Sequence, residues 1–435
     1  MTLREFQIAR RMLIGSIVLL ALAFSIHVLP LPVVHATSRT TLKQSVSVAL
    51  PASIRTVTTT NDSGVGSLRQ AIADAISGDT IVFSLTLPNV ITLTTGVLGV
   101  NKSITLTGPG PNNLAISGNN SSGVFQFIGT LTATFSSLKI ANGFNNGGVF
   151  VGSSTSTVLI SNTIIYNNRS TNSAGISNSG GKVTVRNSTI LSNTATNATG
   201  GIGNTGIMTI VQSTIAQNSS SNGGGGIANF GGAIMVVSQS TISDNTTASN
   251  GGGGVSNTGS LTLTNSTLSG NSIVCCTGAG IDNPLLSGTL NLNNVTITKN
   301  SGASAISSGL GTSNIKNSII AGNSSDCFGT LISQGNNILG DNSNCAGLID
   351  GSNGDKVGTS GSPIDPKLTP LAWLGGPTQV HGLLGGSPAI NAGNNATCLT
   401  TDQRGVTRPL TVGNACDIGA FEGTAFALYL PLIMR

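Results

Sequence analysis

The sequence contains few charged and few aromatic residues. Only 8% of its 435 residues are charged and 3% are aromatic, with a single Trp. No cluster of Lys and Arg with interleaved aromatic residues occurs, which argues against a nucleic-acid-binding protein. Helix formers such as Glu, Lys and Arg are scarce, whereas β-branched residues recur among Gly and Asn, which favour turns. These shortages predict an all-β structure.

Groups suited to catalysis are also rare. After the first 36 residues the only His is His381, so a His-based metal site is not expected. Between Asn119 and Ser325 the only carboxylates are Asp244 and Asp282, and they fall at different phases of the repeat described below. Glycoside hydrolysis needs a pair of carboxylates around the scissile bond.

Lyase chemistry would instead need a Ca²⁺ site of several carboxylates beside a basic residue. Arg169 and Arg186 are the basic candidates, and neither has acidic neighbours in the sequence. We therefore expect no catalytic residue, no cofactor and no metal site, although carbohydrate cleavage stays open as the alternative function.

The sequence does contain a motif that recurs seven times, Ser/Thr-Thr-Ile followed three residues later by Asn. Successive Ile-type positions are separated by 26, 25, 27, 26, 29 and 23 residues, and a period in this range indicates a solenoid. The Ile-type positions are Ile164, Ile190, Ile215, Ile242, Leu268, Ile297 and Ile320. The matching Asn series is Asn167, Asn193, Asn218, Asn245, Asn271, Asn300 and Asn323.

Each repeat carries three short segments in which apolar and polar residues alternate. Alternation places Leu261, Leu263 and Leu268 inside, and equivalent apolar residues recur in the two preceding repeats. The sequence therefore predicts a right-handed parallel β-helix with about 26 residues and three strands per coil.

A second Asn series follows the Gly-Ile/Val segment of each repeat. Stacked Asn side chains can form hydrogen bonds along a coil axis, and Asn tolerates left-handed backbone at a bend. Both Asn series are therefore interpreted as structural rather than as ligand-binding. The second series is Asn178, Asn204, Asn229, Asn257 and Asn283.

The first 36 residues resemble a cleaved secretory signal. They contain Arg4, Arg10 and Arg11, an apolar run, and then Val34-His35-Ala36, which suits signal peptidase. An uncleaved membrane anchor is the alternative, because the apolar run approaches spanning length. Cleavage would leave 16 basic and 13 acidic residues, a net charge of +3, and no transmembrane segment.

The mature chain divides into four parts by composition. Residues 37–54 are predicted to be a linker, residues 55–118 an N-terminal cap with the first coils, residues 119–346 the regular β-helix, and residues 347–435 a C-terminal cap or anchor-like segment. Helical spacing of apolar residues follows Ser67 and stops at Gly78. This predicts a capping helix over residues 66–77.

Six cysteines lie between Cys275 and Cys416, and an even number in an exported chain favours disulfides. The expected pairs are Cys327 with Cys345 and Cys398 with Cys416. The adjacent Cys275 and Cys276 are predicted to form either a strained vicinal disulfide or two reduced thiols.

The C-terminal segment holds the one concentrated group of charges. We interpret it as a structural network around the Cys398 and Cys416 pair, with a small carbohydrate or anchoring site as the alternative. The group consists of Asp402, Arg404, Arg408, Asp417 and Glu422.

Several motifs resemble those of known bacterial families. The pairing of Ile242-Ser-Asp-Asn245 with Gly252-Gly-Gly-Val255 is similar to the repeat of polymorphic outer membrane proteins, with Ile in place of the usual Phe. Residues 61–75 look like the start of secreted β-helix proteins of the CSLREA type. The motifs at 375–379, 386–393, 402–405 and 416–422 resemble the choice-of-anchor Q domain.

The resemblance implies an exported bacterial β-helix protein associated with the cell surface. The sequence departs from the polymorphic proteins in having no long series of barrel strands after residue 346. We therefore expect a non-catalytic adhesin or matrix protein that binds a glycan or another cell-surface ligand, with a polysaccharide lyase or glycoside hydrolase as the alternative.

Overall fold

The computed structural model describes residues 52–276, 278–284, 288–424 and 426. These residues form a right-handed parallel β-helix in which successive coils contribute parallel strands to three sheets, one of 11 strands. The fold class predicted from the sequence is confirmed. The expected signal peptide and all but the last three residues of the expected linker lie outside the described residues.

Strands at equivalent places in successive coils form four ladders, numbered in the order in which the chain visits them. Ladder 1 consists of Ile54–Val57, Thr80–Phe83, Thr105–Thr107, Thr132–Ser136, Thr157–Ser161, Lys182–Arg186, Ile207–Val211, Ile234–Ser238, Ser260–Ser269, Thr289–Thr298, Thr312–Lys316 and Ile332–Ser333. Ladder 2 consists of Asn89–Thr92, Leu114–Ser117, Lys139–Ala141, Ile164–Tyr166, Thr189–Leu191, Thr214–Ala216, Thr241–Ser243, Ser260–Ser269, Thr289–Thr298, Ile319–Ile320, Ile338–Leu339 and Lys356–Val357. Two long strands, Ser260–Ser269 and Thr289–Thr298, thus run through both ladders.

The other two ladders complete the coil. Ladder 3 consists of Arg169–Ser170, Thr194–Ala195, Ser219–Ser220, Thr246–Thr247 and Ser272–Ile273. Ladder 4 consists of Leu98–Val100, Phe125–Phe127, Val149–Val151, Ile176–Asn178, Ile202–Asn204, Ile227–Asn229, Val255–Asn257, Ile281–Asn283, Ser304–Ser308, Ser325–Thr330 and Cys345–Ala346. The helices are α1, Leu68–Asp74, and a 3₁₀ turn, Ser352–Gly354. Ladder 3 is an addition to the three predicted strands per coil.

Like side chains stack on like between coils. Leu261 pairs with Met235 of the preceding coil and with Leu290 of the next. These inward side chains are buried, and they belong to one apolar core that extends from Val57 to Val357. A single coil cannot bury its own apolar face, so stacking of neighbouring coils stabilises each one.

The first repeat is shifted by one residue from the sequence prediction. Ile165 rather than Ile164 pairs with Ile190, and it is fully buried. Asn168 rather than Asn167 is the buried Asn of this coil. The doublets Ile164-Ile165 and Asn167-Asn168 fit the repeat in two registers, and a one-residue shift exchanges the inner and outer faces.

The chain turns through left-handed backbone one residue before Asn168 and before each later Asn of the first series. The second-series Asn residues, for which the sequence suggested left-handed backbone, do not adopt it and lie in strands of ladder 4. At the corner, Gly or a polar side chain supplies the positive φ, which Gly and Asn adopt most readily. The corner residues are Asn167, Ser192, Gln217, Asp244, Gly270, Lys299 and Gly322.

The predicted capping helix is present and shorter, as α1. Ser67 caps its N-terminus by accepting a hydrogen bond from the Gln70 backbone N–H, and Leu68 and Ile72 are buried. Asp62 fixes α1 to the next coil, because it accepts hydrogen bonds from Arg69 at 2.7 Å and from the Thr95 backbone N–H at 2.7 Å. The helix thus covers apolar side chains at the start of the solenoid.

Coil pairing continues beyond residue 346, where the sequence predicted that the regular β-helix ends. The strand Lys356–Val357 still pairs in parallel with Ile338–Leu339. The weak repeat in this part of the sequence concealed the last coil.

The rest of the C-terminal segment folds back along ladder 2. Its backbone and side chains meet a row of outward Thr hydroxyls on successive coils, Thr241, Thr267 and Thr296, which are fully or almost fully buried. A second apolar cluster lies between this segment and the coils. The segment therefore covers the later coils of ladder 2. No described helix is long and apolar enough to cross a membrane.

Candidate functional site

Both expected cysteine pairs are bonded. Cys327 and Cys345 join the last two strands of ladder 4, with Cα atoms 5.6 Å apart. Cys398 and Cys416 join two loops of the C-terminal segment, with Cα atoms 6.7 Å apart. Cys275 and Cys276 are free and exposed.

The five charged residues of the C-terminal segment lie together in its interior. Arg404 pairs with Asp402 at 2.7 Å, and Arg408 pairs with Glu422 at 3.0 Å. The Asp417 backbone N–H donates to Glu422 at 2.7 Å, which links the second pair to the Cys416 loop. All except Arg404 are buried.

The charged groups of this network contact one another and the backbone of the C-terminal segment. Arg408 also donates to the backbone carbonyls of Asp417 and Gly419, at 2.9 and 2.7 Å. Burial raises the pKa of Asp417 to about 6, although hydrogen bonds from the backbone of Asn391 and Gly423 oppose the shift. Groups that are this well paired and shielded from solvent are suited to joining loops rather than to binding a ligand.

The residues considered for carbohydrate cleavage are dispersed. Arg186 lies on ladder 1, Arg169 on ladder 3 and Asp282 on ladder 4. Asp244 lies at the corner before ladder 3, three coils from Arg169, or about 14 Å at the usual strand spacing. In the part of the chain that the structure describes, no three His, Cys, Asp or Glu side chains are placed to hold a metal ion.

The two Asn series form continuous hydrogen-bonded ladders. The Asn193 side-chain amide donates to Asn218 of the next coil at 2.9 Å and to the Ile165 carbonyl of the preceding coil at 3.1 Å. In the second series, Asn204 donates to Asn229 at 2.9 Å. These side chains are buried, so they hold coils together and do not face a ligand.

A row of small hydroxyl side chains, which we call the hydroxyl strip, runs along ladder 3 and continues over the next two coils. Each of its members directly follows an Asn of the first series and is exposed or half-buried. The backbone N–H of each member donates to the coil before it, as Ser219 does to Asn193 at 2.9 Å, so the row has one member per coil. The hydroxyl strip consists of Thr194, Ser219, Thr246, Ser272, Ser301 and Ser324.

Five steps at the usual strand spacing give the strip a length of about 24 Å. Its members are uncharged, and two adjacent hydroxyls, those of Ser219 and Thr194, already lie 3.2 Å apart. Regularly spaced hydroxyls on a rigid sheet can donate to and accept from the hydroxyls of an extended polysaccharide.

Sequence reasoning missed this strip. The recognised positions are those where one residue recurs, whereas the strip contains both Ser and Thr. The signal that could have revealed it is the Ser or Thr after six consecutive Asn residues of the first series, from Asn193 to Asn323.

Comparisons with known proteins found similarity to solved structures at low identity. No family model and no curated protein matches the chain. Among solved structures, the chain is similar to the pectate lyase Pel9A, with 16% identity and a TM-score of 0.46 over 87% of this chain and 98% of that one. It is also similar to the PL6 family alginate lyase AlyGC, with 14% identity and a TM-score of 0.28 over 75% of this chain and 55% of that one. Likenesses at these identities concern the fold alone.

Proposed function

We propose that the protein is exported, resides at the bacterial cell surface or in its matrix, and binds polysaccharide without cleaving it. The hydroxyl strip carries this proposal, because it offers six evenly spaced, uncharged, solvent-facing hydroxyls on a rigid support. The signal-like N-terminus and the motifs resembling CSLREA and choice-of-anchor Q proteins support the proposed location and affiliation.

The dispersal of the acidic and basic candidates favours binding over cleavage. Retaining and inverting glycosidases both place two carboxyl groups within about 10 Å of each other. Asp244 lies at the corner before ladder 3 and Asp282 lies on ladder 4, so the two carboxylates belong to different parts of the coil. A polysaccharide lyase or hydrolase therefore has less support from the described residues.

Removal of hydroxyls from the strip tests the proposal. The mature protein would be applied to a panel of cell-wall and extracellular polysaccharides. A variant with T194A, S219A and T246A should bind at least about tenfold more weakly, since each lost hydrogen bond contributes about 1 kcal/mol. Its thermal stability should stay close to that of the wild type because these side chains face solvent.

A matched control replaces three outward Thr residues of ladder 1, in a variant with T134A, T184A and T209A. We expect this control to bind like the wild type. Absence of polysaccharide binding by the wild type, or equal weakening in both variants, would contradict the proposed role of the strip.

A further inference from the structure

We propose that a groove at the end of the hydroxyl strip binds an uncharged pyranose residue, an inference that rests on the proposed function. The groove has a volume of about 380 Å³, and its lining residues carry no charge. Ser324, the last member of the strip, lines it. The other residues used in the argument are Cys276, Gly302, Ser304, Phe328 and Asn344.

The groove is elongated along the solenoid axis. Cys276, Gly302, Ser324 and Asn344 come from four successive coils, so the lining extends over about 14 Å at the usual spacing. It therefore continues the direction of the strip. A chain lying along the strip would place one of its residues in the groove.

Phe328 supplies an apolar platform. Its ring is 50% exposed, although aromatic residues form only 3% of the sequence. The flat apolar face of a pyranose ring can pack on such a ring, while its hydroxyls meet polar groups at the edges. Asn344, Ser325 and the strip hydroxyl of Ser324 supply polar groups in the lining of the same groove.

Ser304 places a hydroxyl group without a described hydrogen-bond partner in the lining of the groove. Its side chain is only 7% exposed, and within the described part of the chain its hydroxyl has no hydrogen-bond partner. A buried polar group without a partner destabilises the fold, and rotation of the Ser304 hydroxyl toward a ligand hydroxyl in the groove would relieve this cost.

The disulfide between Cys327 and Cys345 holds the groove together. Phe328 directly follows the first cysteine and Asn344 directly precedes the second. The Gly329 backbone N–H also donates to the Asn344 carbonyl at 3.0 Å. The platform and the amide are thus fixed relative to each other before a ligand binds, which lowers the entropy cost of binding.

The lack of charge defines the ligand class. Uronate residues carry a carboxylate, which a protein site usually pairs with Arg, Lys or a cation. The groove offers only thiol, hydroxyl, amide and apolar groups. It therefore favours neutral sugar residues over uronates.

Titration calorimetry with the mature protein tests this inference. The probes are oligosaccharides of glucose, galactose and N-acetylglucosamine, together with oligogalacturonate. We expect the wild type to bind the neutral oligosaccharides, and we expect F328A and S304A to bind them about tenfold more weakly. The control F230A removes a similarly exposed ring, 38% exposed, from a turn after ladder 4, and should leave affinity unchanged.

S304A also separates binding from folding. Because the substitution removes an unpaired hydroxyl, its melting temperature should equal or exceed that of the wild type while affinity falls. If F328A and S304A bind like the wild type, or if only oligogalacturonate binds, the groove inference is wrong, and the strip variant still tests the proposed function. If the wild type binds no glycan, both proposals are wrong.

Discussion

At the residue scale, the buried Asn side chains explain how a chain with so little charge builds a regular rod. Each satisfies backbone and side-chain partners on two neighbouring coils. A hydrophobic residue at this place would leave buried polar groups without partners, which is costly. Asn therefore recurs at the same position in successive coils.

Asn218 shows how large this contribution is. Its Oδ1 accepts from the backbone N–H and the side-chain amide of Asn193, at 3.0 and 2.9 Å. We expect Asn218→Ala to lower the free energy of unfolding by about 3 kcal/mol, because both donors lose a buried acceptor. The exposed control Asn197→Ala should cost less than about 0.5 kcal/mol. Urea denaturation measures both, and equal effects would contradict the structural role of the ladder.

Within the Ile and Asn series of the first repeat, the sequence prediction failed because adjacent residues are chemically alike. Periodicity alone could not choose between Ile164 and Ile165, or between Asn167 and Asn168. Pairing with Ile190 and with Asn193 selects the second member of each doublet. The other Ile doublet, Ile319-Ile320, was assigned correctly, because Ile320 is the member that pairs with Ile297.

At the element scale, α1 depends on two buried carboxylates. Burial raises the pKa of Asp62, but hydrogen bonds from Thr95, Arg69 and Thr94 outweigh it and hold that pKa well below its ordinary value of 3.8. Backbone hydrogen bonds from Ile76 and Ser53 lower the pKa of Asp79 in the same way. Their stabilising contribution is present above about pH 4 and is lost as the pH falls further.

The cap should therefore loosen in acid before the coils do. We expect hydrogen exchange of the amides of Leu68–Asp74, corrected for intrinsic rates, to accelerate between pH 5 and pH 2 as these carboxylates protonate. Asp62→Ala should show the faster exchange already at pH 7. The control Asp74→Ala removes an exposed carboxylate that contacts only Gln70 among the described hydrogen bonds, at 2.7 Å, and should exchange like the wild type.

The elements themselves were largely predictable, because helical and alternating patterns are local. Leu261, Leu263 and Leu268 are buried as the alternation predicted, and Ser67 marks the start of α1 as expected. Ladder 3 escaped prediction because its strands are two residues long and their outward residues vary. A period of two cannot be recognised over such a length.

At the scale of the whole molecule, the C-terminal segment could not be placed from sequence. Its docking on ladder 2 uses dispersed contacts such as Thr267 with Gln403, at 2.7 Å, and His381 with Ser269, at 2.9 Å. Such contacts leave no periodic signal. The outward Thr residues involved have the same character as those that face solvent in earlier coils.

His381 makes this docking sensitive to pH. Burial lowers its pKa from 6.5 to about 4, although the hydrogen bond to the Thr369 carbonyl opposes the shift. Its contribution to stability is therefore present above pH 6.5 and is lost as the pH falls toward 4, since the unfolded state binds the proton more readily. Asp417, with its raised pKa, acts in the opposite direction over part of this range.

We expect the C-terminal segment to unfold at a lower urea concentration at pH 4.5 than at pH 7, because protonation of His381 favours the unfolded state. The fluorescence of Trp373, the sole Trp, reports on the segment. His381→Gln retains Asp417 and removes the His titration, so its urea midpoint should fall less between the two pH values. An identical fall in the wild type and in this variant would contradict the role of His381.

The central claim is that the hydroxyl strip binds an intact polysaccharide chain. Hydroxyl-radical footprinting of the mature protein with and without a bound polysaccharide tests it most directly, with the polymer sized before and after incubation. We predict protection along the coils from Thr194 to Ser324, extending to Phe328, and an unchanged polymer length. Protection confined to ladder 1 or to the C-terminal segment, or a shortened polymer, would contradict the claim.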